Sequence, residues 1–435
     1  MINGMEMQLL LLMGFDMKKI IIYLLLIFLL IILIVPSHTF SSYEKNTNLN
    51  NSYLEGDSFD RLILFIMDHC YFPSLSVSII KNDSIAWTKG YGYANIENEI
   101  FATNHTIYAV GSISKSITST ALLQLYDSGL YHLDDDVNNY LPFSLRNPNF
   151  PNESITFRMI LSHSSSILDE LGYYNVEYYN YSGPPFEGYP MPWLEEYLTP
   201  GGELFNNSVW DNENVPGSKF SYANINYDIV AYLVEILSEK PFYLYCYENI
   251  FQPLGMDNTG FHISVYNETQ LSVPYYWFPI IGQHKSQHVV MIHYMSGGLF
   301  TNVVDLSKFM IIQMSNGSYN DIKILEKETV EEMHKIQSPS TYYGLGWETR
   351  NRKVCFGTQF PFYTYLNFPN MIYSGNSGLM NHGVSAYMYE KIGHDTAVIF
   401  FVNSNALIYR SGFNAFQLLR ELFFQKACEL YYMES

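Results

Sequence analysis

The sequence predicts an α/β (α+β) fold, one sheet layer assembled from both ends of the chain and interrupted by a mostly helical insertion. Three observations predict it. A helix followed by a hairpin pattern opens the folded part, helical periods dominate the middle, and a strand run followed by a long helix closes the chain. No internal repeat is present.

The elements follow in order. Phe59 to Met67 reads as a helix with Leu62 to Met67 at its middle. Ser74 to Ile80 alternates as a strand does, Lys81-Asn82-Asp83 turns, and Ser84 to Thr88 returns to complete a hairpin. From Gly111 to Leu130, Ile117, Ala121, Leu122, Leu125 and Tyr126 recur with a helical period, and Gly129 is a stop signal. A further helix runs from about Tyr227 to Glu239. Ala397 to Val402 is a buried-strand run, and Phe413 to Tyr431 is a long amphipathic helix.

Of 435 residues, 48% are apolar and only 15% charged, so a large core is available and wholesale disorder is excluded. The net charge of −19 disfavours nucleic acid and anionic surfaces as partners. Cys70, Cys246, Cys355 and Cys428 form no CxxC pair, which argues against a cysteine zinc site.

Ile20 to Val35 is an uninterrupted apolar run behind Lys18-Lys19. As a helix it would span ~24 Å, short of the ~30 Å hydrocarbon core. The pattern is that of a secretory signal, with an uncleaved anchor as the rival. Eight N-x-[ST] sequons follow, at Asn50, Asn82, Asn104, Asn152, Asn180, Asn206, Asn267 and Asn316. Both signals point to the secretory pathway, with the folded part lumenal or extracellular. Residues 1–40 are thus a signal or anchor, 41–57 a polar linker, and 58–432 the folded domain.

An S-x-x-K pair at the start of a helix places a hydroxyl and an amine on one face, where the amine can activate the serine. The chain has three, Ser42/Lys45, Ser78/Lys81 and Ser112/Lys115. The first lies in the linker, and the second in a strand and turn, where the two side chains diverge. Only Ser112/Lys115 opens an amphipathic helix. On these residues alone, a Ser N-cap with a solvated Lys is the alternative. Of six Y-x-N triplets, Tyr222-Ala223-Asn224 stands out by its context before a helix. Its phenol suits proton transfer and its amide suits orientation.

Together these residues resemble the serine β-lactamase-related hydrolases: class C β-lactamases, low-molecular-weight penicillin-binding proteins, D-alanyl-D-alanine carboxypeptidases and their esterase relatives. The resemblance covers about Phe59 to Tyr431. Besides Ser112-Ile113-Ser114-Lys115 and Tyr222-Ala223-Asn224, it includes Thr88-Lys89-Gly90-Tyr91-Gly92, Leu161-Ser162-His163-Ser164-Ser165, Pro253-Leu254-Gly255-Met256, Gly297-Gly298-Leu299-Phe300 and Tyr343-Gly344-Leu345-Gly346-Trp347. It implies a β-lactamase/transpeptidase-like fold, an antiparallel sheet flanked by the N- and C-terminal helices with a mostly helical inserted subdomain.

The resemblance also implies roles. Ser112 would be the acylated nucleophile, Lys115 its partner, Tyr222 the base, and Asn224 the group that positions the substrate amide. Asn376, Ser377, Gly378 and Leu379 would form the substrate and oxyanion strand, the hole combining the amides of Ser112 and Leu379. Here the chain departs from the family, because Asn376 stands where a Lys or His is expected. His382 reads as a loop cap, with a substitute for the missing charge as the alternative. The expected activity is hydrolysis of a small ester, amide or peptide substrate, with no metal or cofactor; the alternative is an inactive relative that uses its site for binding or assembly. The resemblance further sets Cys70 and Cys428 near each other, as a disulfide or as two buried free thiols. His163 reads as a core histidine, His284, His288 and His293 as a surface cluster, and Asp134-Asp135-Asp136 as a capped turn.

Overall fold

The computed structural model describes residues 57–169, 192–278, 282–288, 294–337, 342–351, 372–380, 383–404 and 415–434. The apolar run at 20–35, most of the linker, Ser42/Lys45, His293, Cys355 and His382 lie outside them. The chain divides into a unit of residues 1–62 and a unit of residues 63–435. Of the first, only the opening turns of helix α1 (Ser58–Cys70) are described.

The second unit is built on a seven-stranded sheet. Its strands are β1 (Ser74–Lys81), β2 (Ser84–Asn95), β3 (Ile100–Phe101), β4 (Glu348–Asn351), β5 (Ile372–Met380), β6 (Val384–Lys391) and β7 (Thr396–Val402). The order is β4-β5-β6-β7-β1-β2-β3, and every neighbouring pair is antiparallel. The two ends of the chain meet at its centre, where β1 pairs with β7 from Leu75↔Val402 to Lys81↔Thr396. Both strands are buried along almost their whole length; β7 is near-continuously apolar, whereas β1 alternates apolar residues with Ser74, Ser76 and Ser78, whose hydroxyls are hydrogen-bonded inside the protein. Asn82 and Asp83 both take positive φ in the β1–β2 turn, as a tight hairpin with right-handed twist requires. Gly92 has φ +70°, and a Cβ there would stand 2.1 Å from the Pro73 carbonyl oxygen.

Helices cover both faces. On one, α6 (Ala415–Glu434) packs Phe423 against Trp87 and Phe400, and Phe424 against Tyr373. On the other lies the helical region between β3 and β4. Its principal helices are α2 (Ser114–Asp127), α3 (Ile225–Ser238), α4 (Val303–Met314) and α5 (Lys327–His334). Ser307 of α4 donates to Ser78 Oγ on β1 at 2.7 Å, so the Ser78 hydroxyl is engaged in the sheet–helix interface.

Helix α2 differs from its sequence reading. Instead of an amphipathic helix with a polar outer face, it is the buried centre of the helical region, with Ser114 to Leu123 all inaccessible. Its hydroxyl residues make this affordable. Thr118 Oγ1 donates to the Met295 carbonyl at 2.7 Å, and Thr120 Oγ1 donates one turn back to the Ser116 carbonyl at 2.9 Å.

The acidic turn is held by local bonds: Asp134 pairs with Arg158, Asp135 accepts from the His132 amide, and Asp136 caps a 3₁₀ turn. Cys70, Cys246 and Cys428 are free thiols, so the Cys70–Cys428 bond is not formed, and Cys428 faces solvent. His284 is exposed, while His288 packs edge-on to Phe300. Among the described residues, no helix is long and apolar enough to cross a membrane.

Candidate active site

Ser112 sits in a 3₁₀ turn, Gly111–Ile113, that runs directly into α2. One helical step on, the Lys115 side chain is fully buried and reaches back to it, with Nζ 3.2 Å from Ser112 Oγ. Nζ also donates to Asn224 Oδ1 at 2.7 Å and to the Ser296 carbonyl at 2.6 Å. The hydroxyl of Tyr222 lies 2.8 Å from Ser112 Oγ on its other side. The four residues read from two distant motifs are therefore one hydrogen-bonded group.

Burial lowers the Lys115 pKa to about 7, against the opposing pull of the Asp169 and Asp228 carboxylates. Tyr222 shifts the other way. Although 40% of the residue is exposed, protein encloses its hydroxyl, and desolvation pushes that phenol well above its ordinary value. At neutral pH the phenol keeps its proton while the amine can lose one. A neutral amine has two N–H groups and one lone pair. With the N–H groups on Asn224 Oδ1 and the Ser296 carbonyl, the lone pair is left for Ser112.

Tyr222 is supported from behind by His163, whose ring centroid is 4.4 Å away. His163 Nδ1 accepts the Ala223 N–H at 3.2 Å, and burial holds the imidazole neutral. It is the core histidine the sequence suggests, placed to fix the Tyr222-Ala223-Asn224 backbone.

β5 brings the third motif to Ser112. A Cβ on Gly378 would stand 1.8 Å from the Val110 carbonyl oxygen and 3.1 Å from the Ser112 amide nitrogen. Only glycine permits that approach. β4 pairs with β5 only as far as Gly375, so residues 376–380 run past its end. The Ser377 N–H turns to Asn376 Oδ1, and by the strand's two-residue alternation the Leu379 N–H leaves on the same edge.

Asn376 itself is 3% exposed and points into the protein. Its Nδ2 donates to Ser116 Oγ at 3.1 Å and to the Gly346 carbonyl at 3.3 Å. Ser377 is half-buried beside it. The geometry thus gives Asn376 to the fold and leaves Ser377 and the strand backbone nearer the reacting groups. Arg158 does not replace the missing cation, because Asp134 and Glu332 hold its guanidinium. Lys219 is exposed beside Asp211.

Asp169 is the residue that sequence reading misses. Its Oδ2 accepts from the Asn224 backbone N–H at 2.8 Å and from Asn224 Nδ2 at 2.7 Å. A lone Asp 55 positions before its partner has no periodic or motif signal. The Ser296 carbonyl is likewise unreadable as a functional atom, although it adjoins the Gly297-Gly298 block.

A family model described as Beta-lactamase matches residues 59–409. Protein flp of Staphylococcus aureus is 24% identical over 311 residues, covering 67% of this chain and 55% of its own length. The chain thus spans about half the length of that curated relative. Among solved structures, the octameric penicillin-binding protein homologue from Pyrococcus abyssi superposes with TM-score 0.64 at 24% identity, over 80% of this chain and 73% of its own. The D-alanine carboxypeptidase AmpC from Burkholderia cenocepacia gives TM-score 0.63 at 17% identity, over 85% and 98%. These likenesses show the β-lactamase/transpeptidase fold.

Proposed function

The chain belongs to the Beta-lactamase family, whose fold is that of serine hydrolases, and from that premise we propose that residues 58–432 cleave an ester or amide through an acyl intermediate on Ser112. The observation that carries this reading is the set of contacts around Lys115 Nζ, which lies within hydrogen-bond reach of Asn224 Oδ1, the Ser296 carbonyl and Ser112 Oγ.

In the first step Ser112 Oγ bonds to the substrate carbonyl carbon as its proton passes to Lys115 Nζ. The neutral Tyr222 phenol, beside the same oxygen, relays that proton to the departing amine or alcohol when the old bond breaks. Water then attacks the acyl carbon, gives up its proton by the same route, and frees Ser112. This reading moves the base from Tyr222 to Lys115 and keeps Tyr222 as the shuttle. The oxyanion would rest on the Ser112 and Leu379 amides, which the Gly378 contact brings together.

The substrate in this reading is a small ester, amide or peptide bond without a carboxylate that must be paired. Asn376 is uncharged and turned inward, and Arg158 is already committed. The same feature favours a second reading, a site that binds without turnover, since the family's usual cation is absent from this strand.

The direct test is turnover of a neutral p-nitrophenyl ester by wild type, Ser112→Ala and Ser78→Ala. Loss of turnover in Ser112→Ala alone supports the hydrolase. Equal turnover in all three contradicts it, and wild-type binding of substrate analogues without turnover favours the second reading.

We also read the protein as exported or membrane-anchored through its N-terminal apolar segment. The sequon asparagines at 82, 152, 206, 267 and 316 are exposed and Asn104 is half-buried, which supports glycosylation in the secretory pathway.

A further inference from the structure

We infer that Asp169 is a positioning residue of this site, which turns the Asn224 amide oxygen toward Lys115 and sets a negative charge behind that amide. The inference rests on the hydrolase reading above.

An ionised carboxylate only accepts, so Asn224 must aim its NH₂ at Asp169 Oδ2, 2.7 Å away, and its oxygen at Lys115 Nζ. Asp169 also accepts the backbone N–H groups of Asn224 at 2.8 Å and Ile225 at 3.3 Å. These are the first amides of α3, so the carboxylate caps that helix from 55 positions away, where the helix dipole favours a negative charge. The backbone bonds fix Asp169 in place, and the two side-chain contacts, Asn224 Nδ2 to Asp169 Oδ2 and Lys115 Nζ to Asn224 Oδ1, make one amide orientation better than its flip.

That orientation matters to the base. With Oδ1 toward Nζ, the neutral amine keeps its lone pair for Ser112. With the amide flipped, an N–H of Asn224 would take that lone pair and leave Ser112 without an acceptor.

The charge has a second effect. Lys115 is faced by Asp169 and by Asp228 of α3, by the Tyr222 and Tyr227 rings at 5.0 and 5.6 Å, and by neutral His163. The two carboxylates oppose the burial that lowers its pKa to about 7. Asp169 is itself raised by burial, but its N–H donors and Lys115 pull it back. Removing its charge lets burial lower Lys115 further.

The test measures the rate of fluorophosphonate labelling against pH in wild type, Asp169→Asn, Asp169→Ala and Ser112→Ala. Asp169→Asn keeps the shape and an acceptor but removes the charge. Its labelling midpoint should fall by about one pH unit, the scale of a lost opposite charge nearby. Asp169→Ala should show the same fall and at least about a tenfold lower plateau, because Asn224 is then free to turn. Wild-type midpoints in both variants overturn the inference, as does an unchanged plateau in Asp169→Ala. Titration of Lys115 by NMR with ¹³Cε-enriched lysine, in the Ser112→Ala background, reads the same shift without activity. Labelling that persists in Ser112→Ala, or never occurs, therefore counts against the hydrolase reading, while the lysine titration still decides the role of Asp169.

Discussion

Asn376 donates its side-chain amide to Ser116 Oγ at 3.1 Å, which ties β5 to α2 one residue beyond Lys115, whose amine faces Ser112. The third-motif position is thereby a brace between the strand of the expected oxyanion hole and the helix of Ser112 and Lys115. Ser116 in turn donates to the Gly346 carbonyl at 3.2 Å, which also receives Asn376.

Breaking this brace should loosen the geometry of the transition state more than substrate binding. Asn376→Ala should lower kcat about tenfold with KM nearly unchanged, since a lost buried hydrogen bond costs about 1–1.5 kcal/mol. Ser116→Ala should act in the same direction. Steady-state kinetics on a neutral ester measures both. A change confined to KM would show instead that Asn376 meets the substrate.

In the proposed hydrolase, charge should set the substrate preference. A charge-assisted bond to a substrate carboxylate contributes about 1.5–3 kcal/mol, roughly tenfold or more in rate. Asn376 is uncharged and buried, and Arg158 is held by two carboxylates. The protein should therefore turn over a neutral ester about tenfold better than a matched anionic one. kcat/KM for the pair decides it, and preference for the anionic ester would require a cation elsewhere at the site.

The inner face of the sheet carries a second titratable group. Glu390 on β6 lies opposite Ser374 on β5, with His334 Nδ1 of α5 at 3.6 Å. Burial raises its pKa from 4.5 to about 8, with Asp395 adding to the rise and Ser374 opposing it. His334 is held neutral by burial and offers no compensating charge. Between pH 4.5 and about 8 the folded state then binds more protons at Glu390 than the unfolded state, so this group makes stability fall as pH rises through that window. Glu390→Gln should flatten that part of the fall. Melting temperatures of both proteins from pH 5 to 8 test this, and parallel curves would refute it.

The export reading predicts a glycoprotein. Endoglycosidase treatment of the protein from its native host should raise its gel mobility. An unshifted band in a cytosolic fraction would contradict both the glycans and the secretory route.

Much of this was legible because it is local or ordered along the chain. Ser112 and Lys115 announce themselves by i, i+3 spacing, and Tyr222-Ala223-Asn224 by its place before a helix. β7 is apolar on both faces and β1 alternates serine with apolar residues, so both read as strands at once. β5 does not, because Gly375 and Gly378 interrupt it. Gly375 leaves space where Tyr389 crosses, and Gly378 lets the strand touch the Ser112 backbone. The polar side of α2 reads as a solvent face, yet its hydroxyls are satisfied inside the protein. Asn376 is visible as a departure from the family, but its inward direction is a tertiary fact. The bonds from Asn224 and Ile225 to Asp169 are long-range, so no local pattern points to them.

The central claim is that Ser112 is the nucleophile, and the most direct measurement is the site of covalent attachment. The purified protein is treated with a fluorophosphonate at pH 8, above the Lys115 pKa of about 7, digested, and mapped by tandem mass spectrometry. The account predicts one phosphonyl adduct, on Ser112, that is lost in Ser112→Ala and in Lys115→Ala. An adduct on any other residue, or none on Ser112 in the folded wild-type protein, would contradict it.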